Sequence, residues 1–439
     1  MNLWGSRDYR LWWLGNLVST VGTAMSLIAY PLLVLHVTGS AFGAGVAAAC
    51  EVLPYALLSL PVGALVDRLP RRALLITASL VSLGATGAIP VADGFGVLTA
   101  YLIYGVALVN GCAGVVFSIA SVAALPRIVR EEQLGAAAGQ AEVIWNLASI
   151  VGPPLAGLLI SRSATGPFVV DALSFGVVAG CVALIRARLT AAKPSARPSA
   201  EKPPPRLTAE MPQPRLAADT PPPRPAAAAK PPAPGHWRAD LTLGARRVAT
   251  DRRLRALTLI TVAGDLPFAG IAILITLLVR RDGGGPAATG TVFAIAAVGG
   301  VVGALLAPRI ERHIGLVAAV VLRGWATVLL FPLLALGLAP VWVGVVWAGL
   351  SVAISMMNVI QMRYMLTGMP EDELGRIQAF VTLLSYAVLP VGTLGTGALI
   401  AWLGPHGTVL VDTALMLVLA GYATVSRDLR ADRSPVTTP

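Results

Sequence analysis

Lysine is nearly missing from this sequence. There are three in 439 residues, Lys193, Lys202 and Lys230, and all fall in one central stretch. None follows a glycine, so the Gly-Lys ending of an ATP-binding phosphate loop is absent and an ATP-driven pump is excluded. Histidine is scarce too: His36, His236, His313 and His406 are scattered, and no nucleophile–base or metal set gathers around them, which argues against an enzyme. Cys50, Cys112 and Cys181 lie far apart in apolar runs, without ligand spacing, and read as small buried core residues. Charge is thin as well, at 13% of residues, about half the usual share of a soluble protein.

What the chain has instead is apolar length. Hydrophobic residues make up 56% of it, roughly 250 side chains that a soluble fold would have to bury in one core. A bilayer core of ~30 Å needs about 20 apolar residues per helix. Twelve such stretches can be placed, at 11–36, 41–66, 73–92, 95–124, 140–161, 167–186, 255–279, 289–308, 315–337, 340–362, 377–402 and 407–425. The 45 glycines suit helices packed closely in lipid, where small side chains let backbones approach. Met1 to Arg10 is short and polar and the first apolar run is too long for a signal-peptide core, so insertion through the first span itself is expected.

The net charge of +11 is explained by where it sits. With the amino terminus inside, Arg7, Arg10, Arg68, Arg71, Arg72, Arg127, Arg130, Arg309, Arg312, Arg363, Arg376, Arg427, Arg430 and Arg433 all fall at cytoplasmic span ends. Fifteen more basic residues lie between Arg186 and Arg255; only Arg162, Arg280 and Arg281 face outward, and Arg323 enters a span. This is the positive-inside asymmetry, and it predicts a multi-pass protein of the cell membrane with both termini in the cytoplasm. No basic stripe with interleaved aromatics appears, so nucleic acid is not an expected partner.

The chain also repeats itself at a period close to 240. Gly63-Ala64-Leu65 recurs as Gly303-Ala304-Leu305, Glu131 to Gly135 as Glu371 to Gly375, Gly152 to Gly157 as Gly392 to Gly397, and Asp171 as Asp412. A shift of six spans preserves orientation, so the halves are parallel repeats about an axis along the membrane normal. The boundaries predicted are 1–188 for the first bundle, 189–240 for a linker and 241–439 for the second bundle. Fourteen of the 33 prolines lie in the linker, which reads as an extended tether unable to form a core. Asp240 to Arg255, with arginines and leucines at helical spacing, reads as an amphipathic helix on the inner leaflet.

Gly63-x-x-x-Asp67-Arg68-x-x-Arg71-Arg72, between two apolar runs, resembles the loop 2–3 signature of the major facilitator superfamily of secondary transporters. Ser6-Arg7-Asp8-Tyr9-Arg10 opening the first span, Glu51-x-x-Pro54, and Leu125-Pro126 before Leu134 narrow the similarity to a branch of enterobactin-exporter-like and macrolide-efflux-like proteins. The resemblance implies an all-α integral membrane fold of twelve transmembrane helices in two six-helix bundles with pseudo-two-fold symmetry. It also implies a central site for a small-molecule substrate, no cofactor, alternating access driven by a proton gradient, a monomer as working unit, and export as direction. Uptake, or lipid transport by the same fold, is the competing reading.

In that arrangement Asp67 faces the amino-terminal end of span 11 near Gly375 and Arg376, a contact made only when the cytoplasmic side closes. Arg68, Arg71 and Arg72 hold the loop and reach anionic lipid heads. Ala148-x-x-x-Gly152-Pro153-x-x-Ala156-Gly157 is similar to the antiporter signature of span 5, with alanine at two glycine positions. Charges deep in lipid are costly and so are functional candidates; Glu51 and Asp265, near mid-depth of spans 2 and 7, are the candidates for proton coupling or for pairing with a cationic substrate. Asp171 and Asp412, near the starts of spans 6 and 12, read as helix-end charges, and Arg323 as a snorkelling one. Asn16, Asn110, Asn358, Gln361, Met356 and Met357 are candidates to line the cavity. One departure stands out: no basic residue lies between Tyr101 and Gly114, where proton-coupled relatives carry an arginine, so no relay through such an arginine is available.

Overall fold

The computed structural model describes residues 3–66, 68–130, 133–187, 237–311, 314–368 and 371–430, and among them there is no strand. Six helices form the first half: α1 (Arg7–Thr38), α2 (Ala41–Val66), α3 (Arg71–Gly94), α4 (Ala100–Ile128), α5 (Leu134–Ile160) and α6 (Gly166–Leu184). After the linker, whose residues 188–236 lie outside those described, come α7 (Trp237–Thr250), α8 (Arg252–Ala269), α9 (Ile271–Arg281), α10 (Pro286–Glu311), α11 (Leu316–Leu330), α12 (Pro340–Gly368), α13 (Glu371–Val425) and the short α14 (Arg427–Arg430).

Local chemistry sets the breaks between helices. The Ser6 hydroxyl accepts from the Tyr9 amide to start α1, and Gly39, at φ 67°, ends it. Span 4 starts five residues later than the apolar run suggests, because Gly96 (φ 69°) turns the chain and Thr99 caps α4 by accepting from the Leu102 amide. The amphipathic helix expected over 240–255 is two helices. Asp251 accepts from the Arg253 and Leu254 amides at 2.9 and 3.1 Å, which starts α8 afresh and leaves α7 to stop at Thr250. Val248 of α7 then packs with Leu254, Ile377 and Val381, so α7 is seated on protein. Span 7 is itself interrupted at Gly270, where a Cβ would collide with the Thr396 side chain 2.3 Å away in the absence of any shift.

Among the described residues, eleven helical segments are long and apolar enough to cross a membrane, and one of them is a hairpin. Gly404, at φ 71°, folds α13 into two legs. Ile377 and Val381 of the first leg lie beside Leu254, while Asp428, just past the second, is 3.9 Å from Arg255. Both ends of α13 therefore return to the start of α8, so the described residues hold twelve helical legs of membrane-crossing length.

The two halves repeat one packing scheme. In the first, α1 packs on α5 and α6, α2 on α4, and α3 on α4 and α6; in the second, α8 packs on both legs of α13, α10 on α12, and α11 on α12 and α13. Across the halves the main contacts are α2 with α13 and α5 with α10, a pair of contacts that the repeat exchanges. Their position along the helices is uneven. One apolar core joins the halves, with Tyr30, Leu33 and Ala44 against Ile273, Leu274 and Ile400, at the end away from the arginine-rich loops. At the arginine-rich end the cores are separate: Tyr9, Val66, Leu75 and Val182 in one half, Ala256, Leu257, Leu316 and Ala423 in the other. Among the described residues the molecule is sealed at one end and divided at the other.

Candidate functional site

A cavity of about 340 Å³ runs up the first half from the divided end. Trp12, Val122 and Ala141 lie toward its mouth, and Ser26, Glu51, Asn110 and Asp171 toward its closed end near mid-depth. Helical periodicity explains why these residues meet. Ser19, Thr23 and Ser26 share a face of α1, Glu51 and Tyr55 are one turn apart on α2, and Gly111, Gly114 and Ser118 follow one stripe of α4. The approach of α4 to α2 is close enough that a Cβ on Gly111 would strike the Glu51 carbonyl oxygen.

Glu51 is half-buried, and among the described residues no lysine, arginine or histidine lines the cavity. Its electrostatic neighbour is another acid, Asp171. Asp171 is buried to 1% exposure, accepts from the Ser26 hydroxyl of α1, and is approached at 3.4 Å by the Ser174 hydroxyl. It is six residues into α6, so it does not cap that helix end as expected; it looks across to α1 at Gly22, where any Cβ would meet its Oδ1. Asn110 extends the polar cluster by donating its amide to the Tyr30 hydroxyl at 3.0 Å and the Thr86 hydroxyl at 2.7 Å, while its own carbonyl oxygen lacks a partner. Asn16 lines the cavity too, with its amide bonded at 2.8 Å to the Trp12 carbonyl of its own helix.

The second half differs. Asp265 is half-buried, accepts from the Ser385 hydroxyl, and faces the charge of Arg323, which is set against α8 at Gly264. Arg323 lines a small cavity of about 40 Å³ with Thr261, Phe268, Met357 and Met416. It is thus turned toward an internal carboxylate, a role that its snorkelling reading missed. Of the other candidates, Gln361 is buried and 3.4 Å from the Thr261 hydroxyl, and Met357 faces the small cavity. Met356 belongs to the apolar core of its half, and Asn358 is exposed; neither lines these two cavities. Asp412, the repeat partner of Asp171, is buried with its Oδ2 unpartnered and lies well inside the second leg of α13, so it does not cap a helix end either.

The span 5 motif lies on the contact between the halves. A Cβ on Gly157 would come 2.5 Å from the Pro286 carbonyl oxygen, and one on Gly290 the same distance from the Pro153 carbonyl oxygen. Gly152 meets Ala24 of α1 in like manner, at 2.7 Å. Opposite, Gly45 approaches Thr393 and Gly397, and the rings of Tyr55 and Tyr386 stack at 5.4 Å across the α2–α13 contact. Toward the arginine-rich end a Cβ on Gly63 would meet nothing within 4 Å among the described residues, while Val62 and Val66 of the same helix end are buried in the core of the first half. Asp67 is outside the described residues, as are the surroundings of Gly375 and the side chain of Arg376. Arg68 is exposed, whereas Arg71 donates to the Ala123 carbonyl at 2.9 Å and Arg72 to the Ala183 carbonyl, pinning the start of α3 to the last turns of α4 and α6.

Comparison with known proteins follows the same lines. Residues 12–393 match the sequence model of the Major Facilitator Superfamily. The multidrug efflux pump Tap of Mycobacterium tuberculosis is 27% identical over 426 residues, which cover 93% of this chain and 91% of that protein. Macrolide efflux protein A of Streptococcus pyogenes is 28% identical over 186 residues, 42% of this chain and less than half (46%) of that relative. The crystal structure of the nucleoside transporter NupG superposes with a TM-score of 0.69 over 97% of this chain and 98% of NupG, at 12% identity, a likeness of fold alone.

Proposed function

This chain belongs to the major facilitator superfamily, and on that premise we propose that it exports an amphipathic, positively charged small molecule from the cytoplasm in exchange for protons. The arginine-rich end lies in the cytoplasm with both termini, and the state described is the one that loads cargo from inside. The carrying observation is the pair Glu51 and Asp171, two carboxylates at the closed end of one cavity with no basic residue among its lining. An ion held there is poorly solvated and gains from any positive partner, whether a proton or the amine of a cargo, so the two compete for the same groups. Trp12, Tyr55, Phe117 and Trp145 supply aromatic surface for the apolar part of the cargo.

In this reading the α5–α10 and α2–α13 contacts part to open the outer end. Asp67 then meets the amino-terminal end of α13, where the helix dipole favours a carboxylate, and closes the cytoplasmic end. Asn16, Asn110, Gln361 and Met357 bound the path of the cargo. The proton gradient is the energy source, no cofactor takes part, and a single chain suffices. The names of the relatives, a multidrug pump and a macrolide efflux protein, support export over uptake. Everted membrane vesicles offered a panel of organic cations, neutral drugs and lipid analogues test the proposal. Accumulation of a cation that requires an acidic lumen, with alkalinisation of the lumen on its addition, is expected. Gradient-driven movement in the opposite direction, or of lipid analogues alone, overturns it.

A further inference from the structure

The sealed end carries a second feature that the transport cycle leaves unused. A cleft of about 580 Å³ opens there between the halves, with Leu35 and Ala41 of the first half on one side and Leu277, Ile400, Arg280 and Arg281 of the second on the other. Both arginines are exposed, and neither forms an ion pair among the described residues; Asp282, the next residue, is not part of the lining. Trp402, 89% exposed at the bend of α13, adjoins the cleft, and Tyr101 and Trp342 stand exposed at the starts of α4 and α12 at the same end. Such aromatic residues mark the headgroup level of a bilayer. The cleft thus offers two cations at headgroup depth above an apolar wall.

We propose that this cleft binds the phosphate headgroup of an anionic phospholipid through Arg280 and Arg281, beside Leu277, and that the lipid holds the sealed state together. The logic is differential binding. Leu35 and Ala41 are on one half and both arginines on the other, so the full site exists only while that end is closed. A ligand that prefers one state shifts the equilibrium by that preference and no more. Only the contacts with Leu35 and Ala41 favour the closed state; the arginines, both on the second half, raise occupancy in either state. Salt weakens this gain where the headgroup stays in contact with water.

The test uses the full chain in nanodiscs of phosphatidylcholine, with or without equimolar phosphatidylglycerol. Spin labels at Val97→Cys and Leu336→Cys, with Cys50, Cys112 and Cys181 replaced by serine, report the distance across the sealed end. Phosphatidylglycerol is expected to raise the ratio of short to long distances in the parent protein. The rise should disappear in Arg280→Gln/Arg281→Gln, whose distance distribution in phosphatidylcholine alone stays that of the parent. An undiminished rise in the double variant overturns the proposal. So does an equal rise produced by inorganic phosphate in phosphatidylcholine, which would make a free anion the ligand. Arg280→Lys/Arg281→Lys, which keeps the charge, is expected to recover most of the effect, and failure to do so also counts against a phosphate held by charge.

Discussion

At the scale of single residues, the two halves treat their buried charges in opposite ways. Glu51 and Asp171 stand together without a cation, while Asp265 faces Arg323 and accepts from Ser385. Neutralising Glu51 should therefore remove the coupling while leaving the fold intact. Glu51→Gln is expected to transport with a rate that no longer varies with pH, measured in everted vesicles across a pH series; an unchanged pH profile takes Glu51 out of the coupling. Asp265 should behave differently. The two charges attract without closing to an ion pair among the described residues, and both are half-buried, so losing one is expected to cost about 1 kcal/mol or less. Asp265→Asn and Arg323→Gln should each lower the thermal unfolding midpoint, and the double variant should recover much of the loss. Additive losses would show that the two charges act separately. Glu51 and Asp265 were legible in the sequence because a charge within an apolar run is conspicuous. Their different fates were not, since Arg323 is 58 residues from Asp265 and only helix packing brings the two together.

At the scale of elements, small residues decide how the halves meet. Gly157 and Gly290 let α5 and α10 approach until backbone touches backbone, with no room for a side chain. Overpacking a tight contact costs about 1–3 kcal/mol. Gly157→Leu and Gly290→Leu are expected to keep the outer end from closing and to slow transport roughly tenfold at normal expression, read as flux per molecule. Asp67 belongs to the other end. A carboxylate at a helix amino-terminus gains ~0.3–2 kcal/mol, so Asp67→Asn should weaken closure of the cytoplasmic end and reduce flux severalfold; flux at the parent level would remove Asp67 from the gate. The motifs around Gly63 and Gly152 could be recognised in the sequence because their spacing is local. The split of the amphipathic stretch at Asp251 and the hairpin in α13 were less visible. A cap and a single positive φ at Gly404 decide them, and neither disturbs the apolar periodicity.

At the scale of the whole molecule, one shared core at one end and separate cores at the other match one state of the proposed transport cycle. Accessibility should follow from that geometry. With the native cysteines replaced, Ser118→Cys, exposed in the cavity, should react with a membrane-impermeant maleimide added to everted vesicles. Ala44→Cys, wholly buried in the shared core, should resist until cargo and a proton gradient are supplied. Labelling of Ser118→Cys only from the outer face would reverse the orientation assigned to the chain.

The sequence by itself determined that twelve helices cross a membrane in two parallel copies, because apolar length, arginine placement and a 240-residue repeat are properties of the chain read in order. Tertiary structure alone decided which end is sealed, that Asp171 joins Glu51, and that Arg323 answers Asp265. Those facts depend on how helices far apart in sequence pack together. In lipid, where all helix faces are apolar, shape and small residues choose the neighbours, and hydrophobic pattern carries little information about the choice.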